Sequence, residues 1–98
     1  MNDTFHVKDI VEEGLGSIGK IKILRALAEE KKLLTVYGLH KKTHLKREDI
    51  KRNLVDLVKI EWVVEQKINN SLYSINRENT YVQKLVLFFY EIGYIENI

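Results

Sequence analysis

Four cationic side chains lie close together in the middle of the chain, where they would suit contact with a polyanion. They are Lys46, Arg47, Lys51 and Arg52, and their spacing places them on one side of a helix. Residues 38–59 hold seven basic and three acidic side chains, a net charge of +4, whereas the rest of the chain sums to −2. Positive charge concentrated in one stretch of a nearly neutral protein favours a phosphate-rich partner.

An apolar stripe in the same stretch fixes which side of this helix faces the protein. Its members recur at helical spacing and are Ile50, Leu54, Leu57 and Val58. They must be buried, so the cationic side faces solvent. A shorter helical segment from Tyr37 to Lys42 and a tight turn near Thr43 and His44 precede the longer helix. Two helices joined by a turn, the second with a basic outer face, are typical of a helix-turn-helix.

Two helices are predicted before this unit. Residues 5–13 suit a short helix, which the glycines near Leu15 interrupt. Ser17 is a good N-cap for a second helix from Ile18 to about Lys32, with Lys20 among its outward-facing residues. Residues 33–36 are β-compatible and predict a small edge strand or an extended lead-in.

A hairpin and a further helix are predicted after it. Residues 62–68 and 71–75 are two β-rich runs separated by Asn69-Asn70, a two-residue connection whose side chains tolerate positive φ. A final helix is expected from about Thr80 to Ile95. Most of its circumference is apolar, which is more than one buried face requires.

At this point the chain resembles a known family. Leu15-Gly16-Ser17 leading into residues 22–27, together with Gly38-Leu39, the stripe of the second helix and Trp62-Val63, looks like the ArsR- and MarR-like winged-helix transcriptional regulators, of archaeal type. The resemblance covers residues 15–76. It implies a mainly α fold with a small β-hairpin, a winged helix-turn-helix with extra N- and C-terminal helices. Residues 1–98 would form one winged-helix domain, with a C-terminal dimerisation helix at 79–96.

Three positions depart from the family's pattern. His44 stands where the turn often has glycine, Lys46 replaces the usual Ser cap, and Glu61 replaces the glycine that usually precedes the first strand of the wing. A non-glycine residue with positive φ costs on the order of 1 kcal/mol, so the two turns are expected to differ in detail.

These features predict sequence-specific binding to double-stranded DNA, with the second helix in the major groove and the hairpin as the wing. The alternative for the basic helix face is an ordinary solvated surface in which Glu48 and Asp49 pair with Lys51 and Arg52. The hairpin, likewise, could simply close the core. The candidate DNA-binding residues are Lys41, Lys42, His44, Lys46, Arg47, Lys51, Arg52, Lys67, Asn69, Asn70 and Arg77.

The apolar excess of the last helix predicts a homodimer, since two-fold dimers match repeated half-sites in DNA. The alternative is that all of this surface packs on the domain's own small core. A different function is also open, in which the helix binds another protein within a transcription or other assembly. The candidate dimer residues are Phe5, Ile10, Leu85, Phe88, Phe89 and Ile92.

Other functions find little support. The chain has no cysteine, which excludes disulfides and thiolate chemistry. His40 and His44 are four residues apart, but the predicted turn separates them and no third ligand is evident, so we expect no metal site. No catalytic set or phosphate loop is recognisable, and we expect neither an enzyme nor a cofactor. No apolar run approaches membrane-spanning length or resembles a signal peptide, which indicates a cytoplasmic protein without a membrane partner.

Overall fold

The computed structural model describes residues 6–97, which form five helices and one two-stranded antiparallel sheet. The elements in chain order are α1 Val7–Gly14, α2 Ile18–Glu29, α3 Val36–Thr43, α4 Arg47–Lys59, β1 Val63–Lys67, β2 Ser71–Ile75 and α5 Thr80–Glu91. The five predicted helices and the predicted hairpin are therefore present. In the part of the chain described, no helix has the length and apolar character needed to cross a membrane.

The core lies around α2, which contacts the other elements on several sides. Leu24, Leu27 and Ala28 are buried as the sequence predicts, and Ile23 and Ala26 are buried as well. Ser17 caps the helix, its Oγ accepting a hydrogen bond from the backbone N–H of Lys20. The prediction that Lys20 faces outward is wrong, because its side chain is only 8% exposed and its ammonium group lies between two carboxylates.

The hairpin pairs Val63 with Ile75 at its base and Lys67 with Ser71 at its tip. Its connection contains three residues, 68–70, and not two, since Ile68 lies outside β1 and is exposed. Leu34 forms two backbone hydrogen bonds with Tyr73, of 2.8 and 2.9 Å. The predicted edge strand at 33–36 is thus a single bridge that ties the lead-in of α3 to the hairpin.

The last helix ends earlier than predicted. It stops at Glu91, and Gly93 adopts a φ of 82°, which reverses the chain. The backbone N–H groups of Tyr94 and Ile95 then donate to the carbonyl of Phe89, and Ile95 is buried. A glycine with positive φ just beyond the last helical turn is a usual way to end a helix, so the apolar residues after Gly93 cover the core instead of lengthening the helix.

Both turns around α4 keep positive φ without glycine, at 65° for His44 and 67° for Glu61. Both turns therefore have the left-handed backbone that costs a non-glycine residue on the order of 1 kcal/mol. Two side-chain hydrogen bonds stabilise the turn at Glu61. The side-chain amides of Asn76 and Asn79 both donate to the Glu61 carbonyl, at 2.8 and 3.2 Å. The left-handed backbone is kept because the surrounding hydrogen bonds determine it.

Replacing Glu61 by glycine is expected to raise the free energy of unfolding by about 1 kcal/mol, because glycine adopts positive φ without steric cost. Urea denaturation at neutral pH measures this change. The matched control is Glu78→Gly, which removes the same charge from an exposed turn residue outside the positive-φ region. That control should lower the free energy of unfolding. If both variants lower it, the backbone at Glu61 is not strained.

Candidate nucleic-acid interface

The apolar side of α4 holds this helix against the core. Ile50, Leu54 and Leu57 are at most 2% exposed, and Val58 is half-buried, as the apolar stripe predicts. The N-terminus of α4 has Lys46 at the cap position, which makes no side-chain capping bond. Glu48 and Asp49 in the first turn partly replace that cap, since acidic groups favour a helix N-terminus.

Two contacts with α2 fix how α4 lies on the domain. Asn53 faces inward against Gly19, where an added Cβ would lie 2.6 Å from the Asn53 amide nitrogen. The two helices can approach this closely only because position 19 has no side chain. Asp56 forms an ion pair of 3.0 Å with the buried Lys20. Asn53 is consequently part of the helix packing and not of the outer face.

The outer face of α4 is exposed and mainly cationic. Lys46, Arg47 and Lys51 are exposed, and none of them belongs to an ion pair formed within the described residues. Arg52 is different, because it pairs with Asp49 three residues earlier. For Arg52, the alternative of a solvated surface with ion pairs along the helix is therefore correct. Three of the four cations that the sequence singled out are available to an external anion.

A cleft of about 500 Å³ separates α4 from the hairpin. Lys51 and Lys59 lie on its helix side, and Glu65 and Tyr73 lie on its strand side. Glu65 accepts hydrogen bonds from Ser71 Oγ at 2.6 Å and Tyr73 Oη at 3.3 Å. Burial raises the pKa of Tyr73 above its usual value, and the charge of Glu65 adds to this effect. The strand side of the cleft thus carries a hydrogen-bonded carboxylate opposite the lysines.

The hairpin tip projects from the domain. Lys67, Asn69 and Asn70 are all exposed there, and Ile68 between them is 74% exposed. The structure thus places the three predicted wing residues together at one end of the hairpin. Arg77 lies at the opposite end, beyond the Val63–Ile75 pair, where its guanidinium donates to the carbonyl of Ala28 at 2.9 Å. This contact gives Arg77 a structural role, and we leave it out of the DNA-binding set.

Of the three predicted residues at the end of α3, Lys42 and His44 lie beside α2, whereas Lys41 lies over the ring of Tyr37. Lys42 forms an ion pair of 2.7 Å with Glu30, which lowers the pKa of that carboxyl. His44 lines a small groove beside α2 and Tyr94, together with Lys42. Lys41 instead lies with its ammonium over the ring of Tyr37. His40 is held by its Nδ1–H donating to the carbonyl of Leu45 at 2.7 Å.

Two of the predicted dimer residues, Leu85 and Phe88, line a groove of about 450 Å³ between α1 and α5. Phe88 and Ile92 are 53% and 60% exposed, whereas Ile10 and Leu85 are half-buried. Phe89 is wrongly placed in this set, because it is 5% exposed and packs edge-on against Tyr94 in the domain's own core. Phe5 lies outside the described residues.

Trp62 lies beneath this groove. Its ring stacks on Tyr81 with 6.1 Å between the centroids, and its indole N–H has no acceptor within the described part of the chain. On the other side, the ring fills the space where Gly14 has no Cβ. Trp62 therefore joins α1 and α5 through one buried side chain.

Three exposed residues at the interface were not predicted from the sequence. Val55 is 67% exposed in the middle of the outer face of α4, and it follows Lys51 and precedes Lys59 at intervals of four residues. That spacing was a readable signal for both Val55 and Lys59. Ile68 was assigned to a strand, which concealed its place at the tip. Each is a side chain that an external partner can reach.

Comparison with solved structures gives the fold. Two structures of HlyU from Vibrio cholerae N16961, one of them of reduced HlyU, match with TM-scores of 0.70 at 17% identity, covering 85% of this chain and 84–87% of theirs. The ArsR family transcriptional regulator RHA00566 matches with a TM-score of 0.59 at 13% identity over 95% of this chain and 98% of that one. The fold is a winged helix. The fold implied by the sequence resemblance is confirmed, although the archaeal-type part of that resemblance has no support.

No protein-family profile and no curated protein sequence matches the chain. One of these structural neighbours is an ArsR family transcriptional regulator, and at these identities the solved structures establish the architecture of this chain alone. In that architecture α3 and α4 are the helix-turn-helix, and β1 and β2 are the wing. The outer face of α4, the hairpin tip and the groove between α1 and α5 are the exposed surfaces that a partner could contact.

Proposed function

We propose that this chain binds double-stranded DNA as a homodimer and regulates transcription in the cytoplasm by occupying promoter DNA, without catalysis or a cofactor. The observation that carries the proposal is the exposed cationic outer face of α4. Its residues Lys46, Arg47 and Lys51 are exposed and unpaired with any carboxylate of the described residues, while the opposite face is buried. An exposed helix with this charge fits the major groove.

The outer face of α4 offers both parts of DNA recognition. Arg47 and Lys51 supply contacts to phosphates or to guanine edges, and Val55 offers an apolar surface that suits a thymine methyl group. Lys59 extends the positive charge to the far end of the helix. Glu48 on the same face accepts a hydrogen bond from cytosine or repels a misplaced phosphate. The face therefore supports sequence preference as well as affinity.

The hairpin tip supplies a second contact in this proposal. Lys67 neutralises one phosphate, and Asn69 and Asn70 donate to the backbone or to the floor of the minor groove. Ile68 is an apolar side chain of the type that minor-groove binders place against base steps.

The homodimer part of the proposal rests on the groove between α1 and α5. Exposed Phe88 lines this groove and, with exposed Ile92 four residues later, forms an apolar surface that the described residues leave uncovered. A second copy related by a two-fold axis would cover both grooves with the same residues. Two α4 helices would then read half-sites about 34 Å apart, one turn of DNA.

The test is the salt dependence of binding to mixed-sequence duplex DNA, with the oligomeric state followed by light scattering in the same samples. An Arg47→Ala/Lys51→Ala variant is expected to make the slope of log K against log salt shallower by about 3.6 units for a bound dimer, because four phosphate contacts are lost and each contributes about 0.9. Lys31→Ala/Lys32→Ala is the matched control, since it removes equal charge from exposed lysines beyond α2. That control should keep the wild-type slope.

Two results would contradict the proposal. A wild-type protein without affinity for duplex at low salt would show that the basic face is only a solvated surface. The apolar groove would then favour the alternative function, in which α5 binds another protein. Equal losses in the control and in the Arg47→Ala/Lys51→Ala variant would show that general charge, and not the α4 face, attracts DNA.

A further inference from the structure

Tyr37 lies in the first turn of α3 and contacts the first residue of α4, and two cations lie over its exposed ring. It is the second residue of α3, and its side chain is 53% exposed. Lys41 Nζ lies 5.6 Å from the ring centroid, and the guanidinium carbon of Arg47 lies 5.2 Å from it. A cation over the face of an aromatic ring within about 6 Å is attracted by the ring's quadrupole. One side chain therefore organises two cations from two helices.

The chemistry of this partner differs from that of a carboxylate. Arg52 and Lys42 pair with Asp49 and Glu30, and each pair cancels a charge. The ring of Tyr37 holds the two long side chains in place without supplying an opposite charge that would cancel theirs. Neither cation has a carboxylate partner within the residues that the structure describes. The ring orders the two cations without neutralising them.

We propose that Tyr37 is a positioning residue that presents Lys41 and Arg47 together to one phosphate of the DNA backbone, next to the groove that α4 enters. This inference rests on the proposed function and adds a site to it, since Tyr37 touches no base in this arrangement. In a helix-turn-helix the first helix crosses the backbone while the second lies in the groove. The pair of cations lies where those two helices meet, which suits a phosphate at the groove edge.

The ring and not the hydroxyl is the active part of Tyr37 in this proposal. Tyr37→Phe keeps the ring and should bind mixed-sequence duplex within about twofold of wild type, whereas Tyr37→Leu should bind about tenfold more weakly, because two long side chains must then be ordered on binding. Fluorescence anisotropy with labelled duplex measures both. Tyr90→Leu is the matched control, because Tyr90 is 45% exposed on α5 and no cation of the described residues lies over its ring.

A double-mutant cycle tests positioning directly. Arg47→Ala is expected to weaken binding in the wild-type background and to have a smaller effect in Tyr37→Leu, because the ring has already ceased to hold the guanidinium. Thermal unfolding of each variant checks that the domain is folded. A merely structural role for Tyr37 would leave the two effects additive.

The outcomes separate this inference from the proposed function. If wild type binds duplex and Tyr37→Leu binds equally well, or Tyr37→Phe is as weak as Tyr37→Leu, or the cycle is additive, the positioning role is overturned while DNA binding stands. If wild type does not bind duplex at all, the proposed function itself fails. Should Tyr37→Leu fail to fold, Tyr37→Gln removes the ring from the same exposed position, and the same losses and the same coupling to Arg47→Ala are expected of it.

Discussion

A Gly14→Ala variant is expected to lose about 2 kcal/mol of unfolding free energy, although alanine is the better helix former, because it overpacks the core. Gly14 is the last residue of α1, and a Cβ placed there would lie 2.2, 2.3 and 2.6 Å from three carbons of the Trp62 ring. The ring is 2% exposed and stacked on Tyr81, so it has little room to move. The strain is relieved only if α1 shifts away from the core.

Gly38→Ala provides the matched comparison for this experiment. Gly38 lies in α3, and a Cβ there would meet its nearest neighbours at 3.5 Å, which is ordinary contact. This variant should gain about 0.5 kcal/mol, as expected for alanine in place of glycine in a helix. Urea denaturation of both proteins measures the change in unfolding free energy, which should be negative for Gly14→Ala and positive for Gly38→Ala. A Gly14→Ala variant as stable as wild type would show that α1 does not rest on Trp62.

A Lys20→Met variant is expected to be the other strongly destabilised protein. The Lys20 ammonium donates to the Glu13 carbonyl and carboxylate, at 2.9 and 3.0 Å, and lies 3.0 Å from the Asp56 carboxylate. Removing it leaves two carboxylates without a cation. Because those side chains are 42% and 38% exposed, water compensates in part, and the expected loss is about 2 kcal/mol, less than for a fully buried pair.

Adding Glu13→Gln and Asp56→Asn to Lys20→Met should recover part of that loss, since the uncompensated charges are then removed. No recovery would mean that the methionine packs badly and that the ion pairs matter little. Chemical denaturation of the three proteins at neutral pH distinguishes these results.

The Lys20 pairs also predict a dependence on alkaline pH. Burial alone would lower the pKa of Lys20, but its hydrogen bonds and charge interactions with Asp56 and Glu13 raise that pKa above the ordinary 10.5. The raised pKa means that this stabilisation is complete below pH 10.5 and is lost as the pH rises through the folded-state value. Wild type should therefore lose stability in that range more steeply than Lys20→Met.

The helices and the hairpin were predictable because each has a local signal. The apolar spacing of α4, the Ser17 cap and the two β-rich runs all agree with the tertiary packing. Lys20 was misplaced because α2 is packed on several sides, and a single amphipathic stripe does not describe such a helix. The apolar spacing continues past Gly93 and so does not mark the end of α5, which depends on the positive φ of that glycine.

The candidate site was predictable as a region but not residue by residue. The cationic side of α4 follows directly from helical spacing. The separation of Lys42, His44 and Arg77 from that face depends on ion pairs and backbone contacts between distant segments, such as the bond from Arg77 to Ala28. Periodicity contains no information about such contacts. The same limit concealed the pairing of Tyr37 with Arg47, since these residues belong to different helices.

The position of Trp62 also determines what the intrinsic fluorescence of the protein reports. Trp62 is the sole tryptophan of the chain, it is buried beneath the α1–α5 groove, and it does not line the cleft beside α4. Selective excitation therefore gives an emission signal from one known place, which shifts when water or a second copy reaches the groove. The outer face of α4 carries no tryptophan and does not contribute to that signal. Tryptophan emission therefore reports on the surroundings of the α1–α5 groove and not on contacts made by the outer face of α4.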